Sequence, residues 1–167
     1  MTEFRKISVI GLGLIASSIC LTIRKKNPGT QIVGYDKDKE VRKRAKKIGL
    51  CEVKSKIENA ARGSELIILC VPVGQMQAVI QRLKKYIEPG TIITDVGSVK
   101  LSVIEELEFS IADAKGKFVP SHPIAGTERS GPDAGYAGLF EGRWCILTPT
   151  KKTNKRALRS VETFWKF

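Results

Sequence analysis

The chain has 167 residues, 42% of them hydrophobic and 28% charged, and a net charge of +12. These are the proportions of a soluble globular protein, long enough for one domain with a real core or for one domain and a fragment of another. The basic balance favours anionic partners, but the lysines cluster on segments of helical pattern with no interleaved aromatics, which argues for solvated helix faces and against a nucleic-acid surface.

Lys6 to Ile10 reads as a short buried strand, and Leu14 to Lys26 as a helix stopped near Asn27-Pro28-Gly29. Gln31 to Tyr35 is a second strand, and Lys39 to Ile48 a helix closed by Gly49. The continuous apolar run from Glu65 to Val71 is what a central parallel strand requires, and Pro72 opens the next turn. Met76, Val79, Ile80, Leu83 and Ile87 recur at helical spacing until Pro89-Gly90. Thr91 to Asp95 is another buried strand, followed by a helix over Val99 to Glu108 and a short strand over Lys117 to Pro120. Ser121 to Gly142, rich in glycine and polar residues, reads as a long functional loop. Trp144 to Thr148 is a last strand, and Asn154 to Phe167 starts an amphipathic helix whose apolar face has no following element to pack on.

This alternation predicts an α/β fold, a doubly wound parallel sheet with helices on both faces. Residues 1–150 are expected to form this α/β domain and 151–167 the terminal helix that follows it. The apolar run from Ile7 to Ile23 is broken by Gly11, Gly13, Ser17 and Ser18 and ends at Arg24-Lys25-Lys26, so it is read as neither a signal peptide nor a membrane span. Four scattered cysteines and a single histidine offer no metal-ligand spacing. Free thiols suit a reducing, cytoplasmic location.

Gly11-x-Gly13-x-x-Ala16 follows a strand and opens a helix. Gly11 allows the tight turn, Gly13 lets the backbone approach a pyrophosphate, and the small Ala16 permits close helix–strand packing. The N–H groups of the following helix, beginning at Leu14 and Ile15, face that phosphate with the positive end of the helix dipole. Glycine turns also occur without ligands, but Asp36 closes the second strand twenty residues after Ala16. An acid there hydrogen-bonds the ribose hydroxyls of a dinucleotide. Its charge would repel a 2′-phosphate, so NAD is expected and NADP disfavoured, although Lys37 and Lys39 blunt the preference.

His122, the only histidine, lies just past a predicted strand end in Ser121-His122-Pro123. Ligands of open α/β sheets sit beyond the carboxyl ends of the strands. Asp95-Val96-Gly97-Ser98-Val99-Lys100 follows another strand and shares that edge. A hydroxyl beside a histidine suits proton abstraction from an alcohol, while Ser98 equally suits an N-cap of the next helix.

These segments resemble the prephenate and arogenate dehydrogenase family. The likeness rests on Gly-Leu-Gly-Leu-Ile at 11–15, Cys70-Val71-Pro72, the Asp95 to Lys100 segment, Ser121-His122-Pro123 with Gly126 and Glu128, Ser130-Gly131-Pro132 and Gly138-Leu139-Phe140. The resemblance implies an NAD-linked oxidative decarboxylation of prephenate to 4-hydroxyphenylpyruvate in tyrosine biosynthesis. It implies that His122 accepts the proton of the ring hydroxyl, that Ser98 orients it, and that Glu128 lines the substrate's path; a solvated loop acid is the plainer account of Glu128. Val71 and Pro72 are implied to line the cofactor groove, or merely end a strand.

The family also has a helical C-terminal domain that supplies the dimer interface and an arginine for a substrate carboxylate; these 167 residues hold no match to it. Ala16 and Ser17 stand where relatives often have glycine. A dinucleotide-binding module without turnover of its own is therefore a second expectation. The preference for prephenate or arogenate is not written in the chain. A 3-hydroxyacid dehydrogenase of similar fold would be expected to use a lysine base, which the Ser-His-Pro segment argues against.

Overall fold

The computed structural model describes residues 4–166. Six strands, β1 (Lys6–Ile10), β2 (Gln31–Tyr35), β3 (Glu52–Val53), β4 (Leu66–Leu69), β5 (Ile92–Asp95) and β6 (Lys117–Val119), form one sheet in the order β3-β2-β1-β4-β5-β6. Every neighbouring pair in it is parallel. This is the doubly wound dinucleotide-binding order, and its crevice lies where β1 sits between β2 and β4.

Six helices cover the sheet: α1 (Leu14–Lys26), α2 (Lys39–Lys47), α3 (Ile57–Ala61), α4 (Val73–Leu83), α5 (Lys100–Asp113) and α6 (Lys155–Trp165). The apolar strands divide their side chains by period two. Ile7, Val9, Leu66 and Ile68 pack with α1 and α6 on one face. Ile10, Ile67, Leu69 and Ile93 pack with α3, α4 and α5 on the other. Burial on both faces is why these strands read as continuous apolar runs rather than alternating ones.

Four predicted features differ. Residues 50–64 contain β3 and α3, of two and five residues, too short to leave a periodic signal. α5 starts at Lys100 with Val99 as its flanking residue and runs to Asp113, so Ser98 is not the helix cap.

The predicted long loop holds a strand of its own, β7 (Ser121–Pro123), and a short 3-10 turn at Pro132–Ala134. The last predicted strand, observed as β8 (Cys145–Leu147), does not join the parallel sheet. It pairs antiparallel with β7, placing His122 opposite Ile146. Only Pro120, which brings no backbone N–H donor, separates β6 from β7.

The chain between β7 and β8 is anchored on α1. The Tyr136 N–H donates to Ser18 Oγ at 3.1 Å and Thr22 Oγ1 donates to the Ala137 carbonyl at 2.8 Å. Leu139 and Phe140 are buried in the core. α6 turns back onto the sheet through Ala157, Val161 and Phe164. Phe164 meets Phe4 edge-on at 6.4 Å between ring centroids. The predicted end of this helix, Phe167, lies outside the described residues. Among the described residues, no helix is long and apolar enough to cross a membrane, and no group of three or more His, Cys, Asp or Glu is arranged to hold a metal ion.

Candidate active site

The glycine turn is built by sterics. Gly11 has φ +93°, and a Cβ there would lie 2.6 Å from the Cys70 carbonyl oxygen of the adjacent strand end. Its N–H donates to the Tyr35 carbonyl at 2.7 Å, so the turn is clamped between β2 and the end of β4. Gly13 differs: a Cβ there would meet nothing within 4 Å. It flanks α1, whose first turn carries no acidic residue and no side-chain cap. The first N–H groups of that helix, from Leu14 and Ile15 onward, therefore remain available to an anion.

Asp36 stands at the end of β2. Its Oδ2 accepts the Leu12 N–H at 2.8 Å and its Oδ1 accepts the Asp38 N–H at 2.9 Å. A carboxylate has about four lone-pair sites, so both oxygens keep capacity for ribose hydroxyls. Arg42 is committed to the backbone, donating to the Asp36 carbonyl at 2.7 Å and the Lys37 carbonyl at 3.0 Å. Lys37 Nζ donates to Gln75 Oε1 at 3.0 Å.

Gly11, Gly13, Asp36, Val71 and Pro72 line one cleft of about 730 Å³, with Tyr35, Lys37 and Gln75 beside them. Its size is that of a small-molecule or cofactor site. The glycine cradle and the acceptor pair of Asp36 fit a dinucleotide. The walls of this cleft do not include Leu14, Ile15, Ser98, His122 or Glu128.

His122 is half-buried on β7, Ser98 is exposed on the loop after β5, and Glu128 is exposed beyond β7. What joins the first two is Asp95, the wholly buried acid that closes β5. Its Oδ2 accepts the Gly97 N–H at 2.9 Å and its Oδ1 accepts the Ser121 N–H at 3.1 Å. Lys100 forms an ion pair with Asp95 and donates to the Ser121 carbonyl at 2.8 Å. Ser121 Oγ donates to the Asp95 carbonyl at 2.6 Å. Burial lowers the Lys100 ammonium from its usual range, against the pull of Asp95. Burial likewise pushes the Cys145 thiol, beside Ser121, up to about 12.

Residues 19–167 match the family model described as prephenate dehydrogenase, nucleotide-binding domain. The chain belongs to the prephenate dehydrogenase family. It is 41% identical over 166 residues to the cyclohexadienyl dehydrogenase of Zymomonas mobilis, covering 99% of this chain and 56% of that protein. It is 34% identical over 158 residues to the prephenate dehydrogenase of Lactococcus lactis, covering 94% of this chain and 44% of that protein. A crystal structure of prephenate dehydrogenase from A. aeolicus, in complex with hydroxyphenyl propionate and NAD+, superposes with a TM-score of 0.87 at 32% identity, covering 97% of this chain and 56% of that one. The chain spans about half the length of the curated relatives it matches.

In this nucleotide-binding domain, Asp95, Lys100 and Ser121 are residues that sequence reasoning quoted within motifs but gave no role. A signal for the first was present: an acid closing an otherwise apolar strand must be buried, and a buried carboxylate needs partners. Gln75 left no such signal, because a single polar residue on a helix is unremarkable until the fold brings it to Lys37.

Proposed function

We propose that this chain supplies the NAD site and the general base of an NAD-dependent dehydrogenase that oxidatively decarboxylates prephenate to 4-hydroxyphenylpyruvate. The observation that carries this reading is the placement of His122 beyond β6, on the same carboxyl edge as Gly11, Asp36 and Val71, in a chain of the prephenate dehydrogenase family.

Gly11, Gly13, Leu14 and Ile15 would hold the pyrophosphate, Asp36 the adenosine ribose, and Val71 and Pro72 the groove wall. A bound nicotinamide ring supplies the hydride acceptor. His122 accepts the proton of the 4-hydroxyl as its carbon is oxidised. Ser98 orients the hydroxyl or the imidazole, and Glu128 borders the substrate's approach. Loss of CO2 then aromatises the ring and draws the reaction forward. The four free thiols suit a cytoplasmic enzyme.

The test is NADH formation from prephenate by a complete enzyme carrying this domain. His122→Asn should abolish turnover and leave NAD+ binding intact. Full turnover by that variant, or no turnover by the unaltered enzyme, overturns the reading.

A second reading is favoured by the chain's span of about half its relatives. On its own, this chain binds NAD+ and does not turn over prephenate. Calorimetric NAD+ binding without NADH production supports it; NADH production by the isolated chain refutes it.

A further inference from the structure

We infer that Asp95 is the positioning residue that sets His122 against Ser98, because one carboxylate bonds the backbone immediately before each of them. The inference rests on the reading of His122 as the base.

Gly97 and Ser121 are the residues preceding Ser98 and His122, and their N–H groups are held by the two oxygens of the same side chain. Ser121 is held further. Its hydroxyl donates to the Asp95 carbonyl, and its own carbonyl accepts from Lys100. The residue before the candidate base is thus tied at its N–H, its carbonyl and its side chain. The loop of Ser98 sits equally tightly: a Cβ on Gly97 would lie 3.1 Å from Asp95 Oδ2 and 2.9 Å from Val73 Cγ2.

Asp95 is wholly buried and the Lys100 side chain is 13% exposed. A buried ion pair is a poor way to gain stability, because desolvating both charges offsets much of their attraction. Apolar side chains of the same volume would fill the space but leave the Gly97 and Ser121 N–H groups without this acceptor. Only a carboxylate brings two directional acceptors to two separate backbone segments. Lys100 then serves as the counter-charge of that carboxylate in the core. Asp95 touches neither substrate nor cofactor in this scheme; it acts through the backbone of Ser121 and Gly97.

His122 is the only histidine of the chain, so its ring nitrogens give an unambiguous resonance set in long-range 1H–15N spectra. Asp95→Asn should shift and broaden that set while NAD+ affinity, measured by calorimetry on the same sample, stays within about threefold. Asp95→Asn/Lys100→Met removes both charges, so the fold is not asked to bury a lone ammonium, and it should change the His122 signals in the same way. In a complete enzyme carrying this domain, the double variant should lower kcat about tenfold or more with KM for NAD+ little altered.

Unaltered His122 signals and kcat in the double variant would overturn the inference, leaving Asp95 as a mere counter-charge for Lys100. Loss of NAD+ binding and of a cooperative melt in both variants would also overturn it, in favour of a purely structural role. His122→Asn in the same turnover assay separates the two levels. If that variant is dead while the Asp95 double variant is fully active, only the positioning role falls. If it is fully active, the base assignment falls as well.

Discussion

The Asp36 carboxylate accepts the backbone N–H of Leu12 at 2.8 Å, across 24 residues of sequence. The acid that ends β2 therefore holds the middle of the glycine turn that follows β1. One side chain shapes the glycine turn and lines the cleft beside it. Asp36→Ala should cost about 1–2 kcal/mol in urea unfolding, since it leaves the Leu12 and Asp38 N–H groups without their acceptor. It should also weaken NAD+ binding about tenfold or more by calorimetry. Asp36→Asn keeps an acceptor for Leu12 and should lose less stability than affinity.

The two glycines of the turn should respond in opposite ways. Gly11→Ala forces a side chain into a left-handed backbone and against the Cys70 carbonyl, so stability should fall by about 1–3 kcal/mol. Gly13 has φ −83° and ψ −164°, which any residue adopts, and open space beyond. Gly13→Val should leave urea unfolding within about 0.5 kcal/mol of the parent. Its branched side chain would fill the open space of the cleft proposed to take the pyrophosphate, so NAD+ binding should fall about tenfold or more. Equal effects of both substitutions on stability would contradict this division.

The segment between β7 and β8 depends on Gly135. A Cβ there would run into Ser17 Cβ and lie 2.9 Å from the Ser18 nitrogen. Gly135→Val should destabilise by about 1–3 kcal/mol and speed proteolytic cleavage between residues 124 and 144, as overpacking lifts the segment off α1. Arg44→Ala removes the exposed ion pair to Asp133 on the same segment. It should leave stability little changed and cleavage slow.

Alkaline pH should unfold the protein through its thiols. Burial raises Cys70 and Cys145 above their ordinary value of 9.0, Cys145 to about 12. The folded chain holds those protons where the unfolded chain has released them. Their contribution is complete below pH 9.0 and declines as pH rises towards 12. Lys100, lowered by burial, works in the opposite sense over the range below its ordinary value. Two buried thiols outweigh one partly compensated ammonium, so Tm should fall as pH rises from 9.0 towards about 12. Cys145→Ala should flatten that decline; an unchanged slope would show that Cys145 ionises alike in the folded and unfolded states.

Leu14–Lys26 and Gln31–Tyr35 are seen in the structure with their predicted bounds, because each carries its own signal in periodicity and in flanking turn residues. Residues 50–64 did not announce themselves. β3 is a two-residue edge strand defined by its register with Val33 and Gly34, a partner the local sequence cannot name. The same holds for Cys145–Leu147. It reads as one more strand of the parallel sheet, yet its antiparallel pairing with β7 is decided by a loop that folds back over α1.

From the sequence alone come the alternation of strand and helix, the doubly wound class, the glycine turn, the acid that closes β2 and the histidine beyond β6. These are local matters of side-chain period, backbone sterics and residue type within a few positions. The tertiary structure alone decided that Asp36 grips the turn as well as facing the cleft, that Ser98 precedes its helix without capping it, and that Asp95, Lys100 and Ser121 converge. Asp95 and Ser121 lie 26 residues apart and belong to different sheets. Their bond exists because β5 and β6 pair side by side, which brings the chain just past β6 against the end of β5, and no neighbouring residue in the sequence records that pairing.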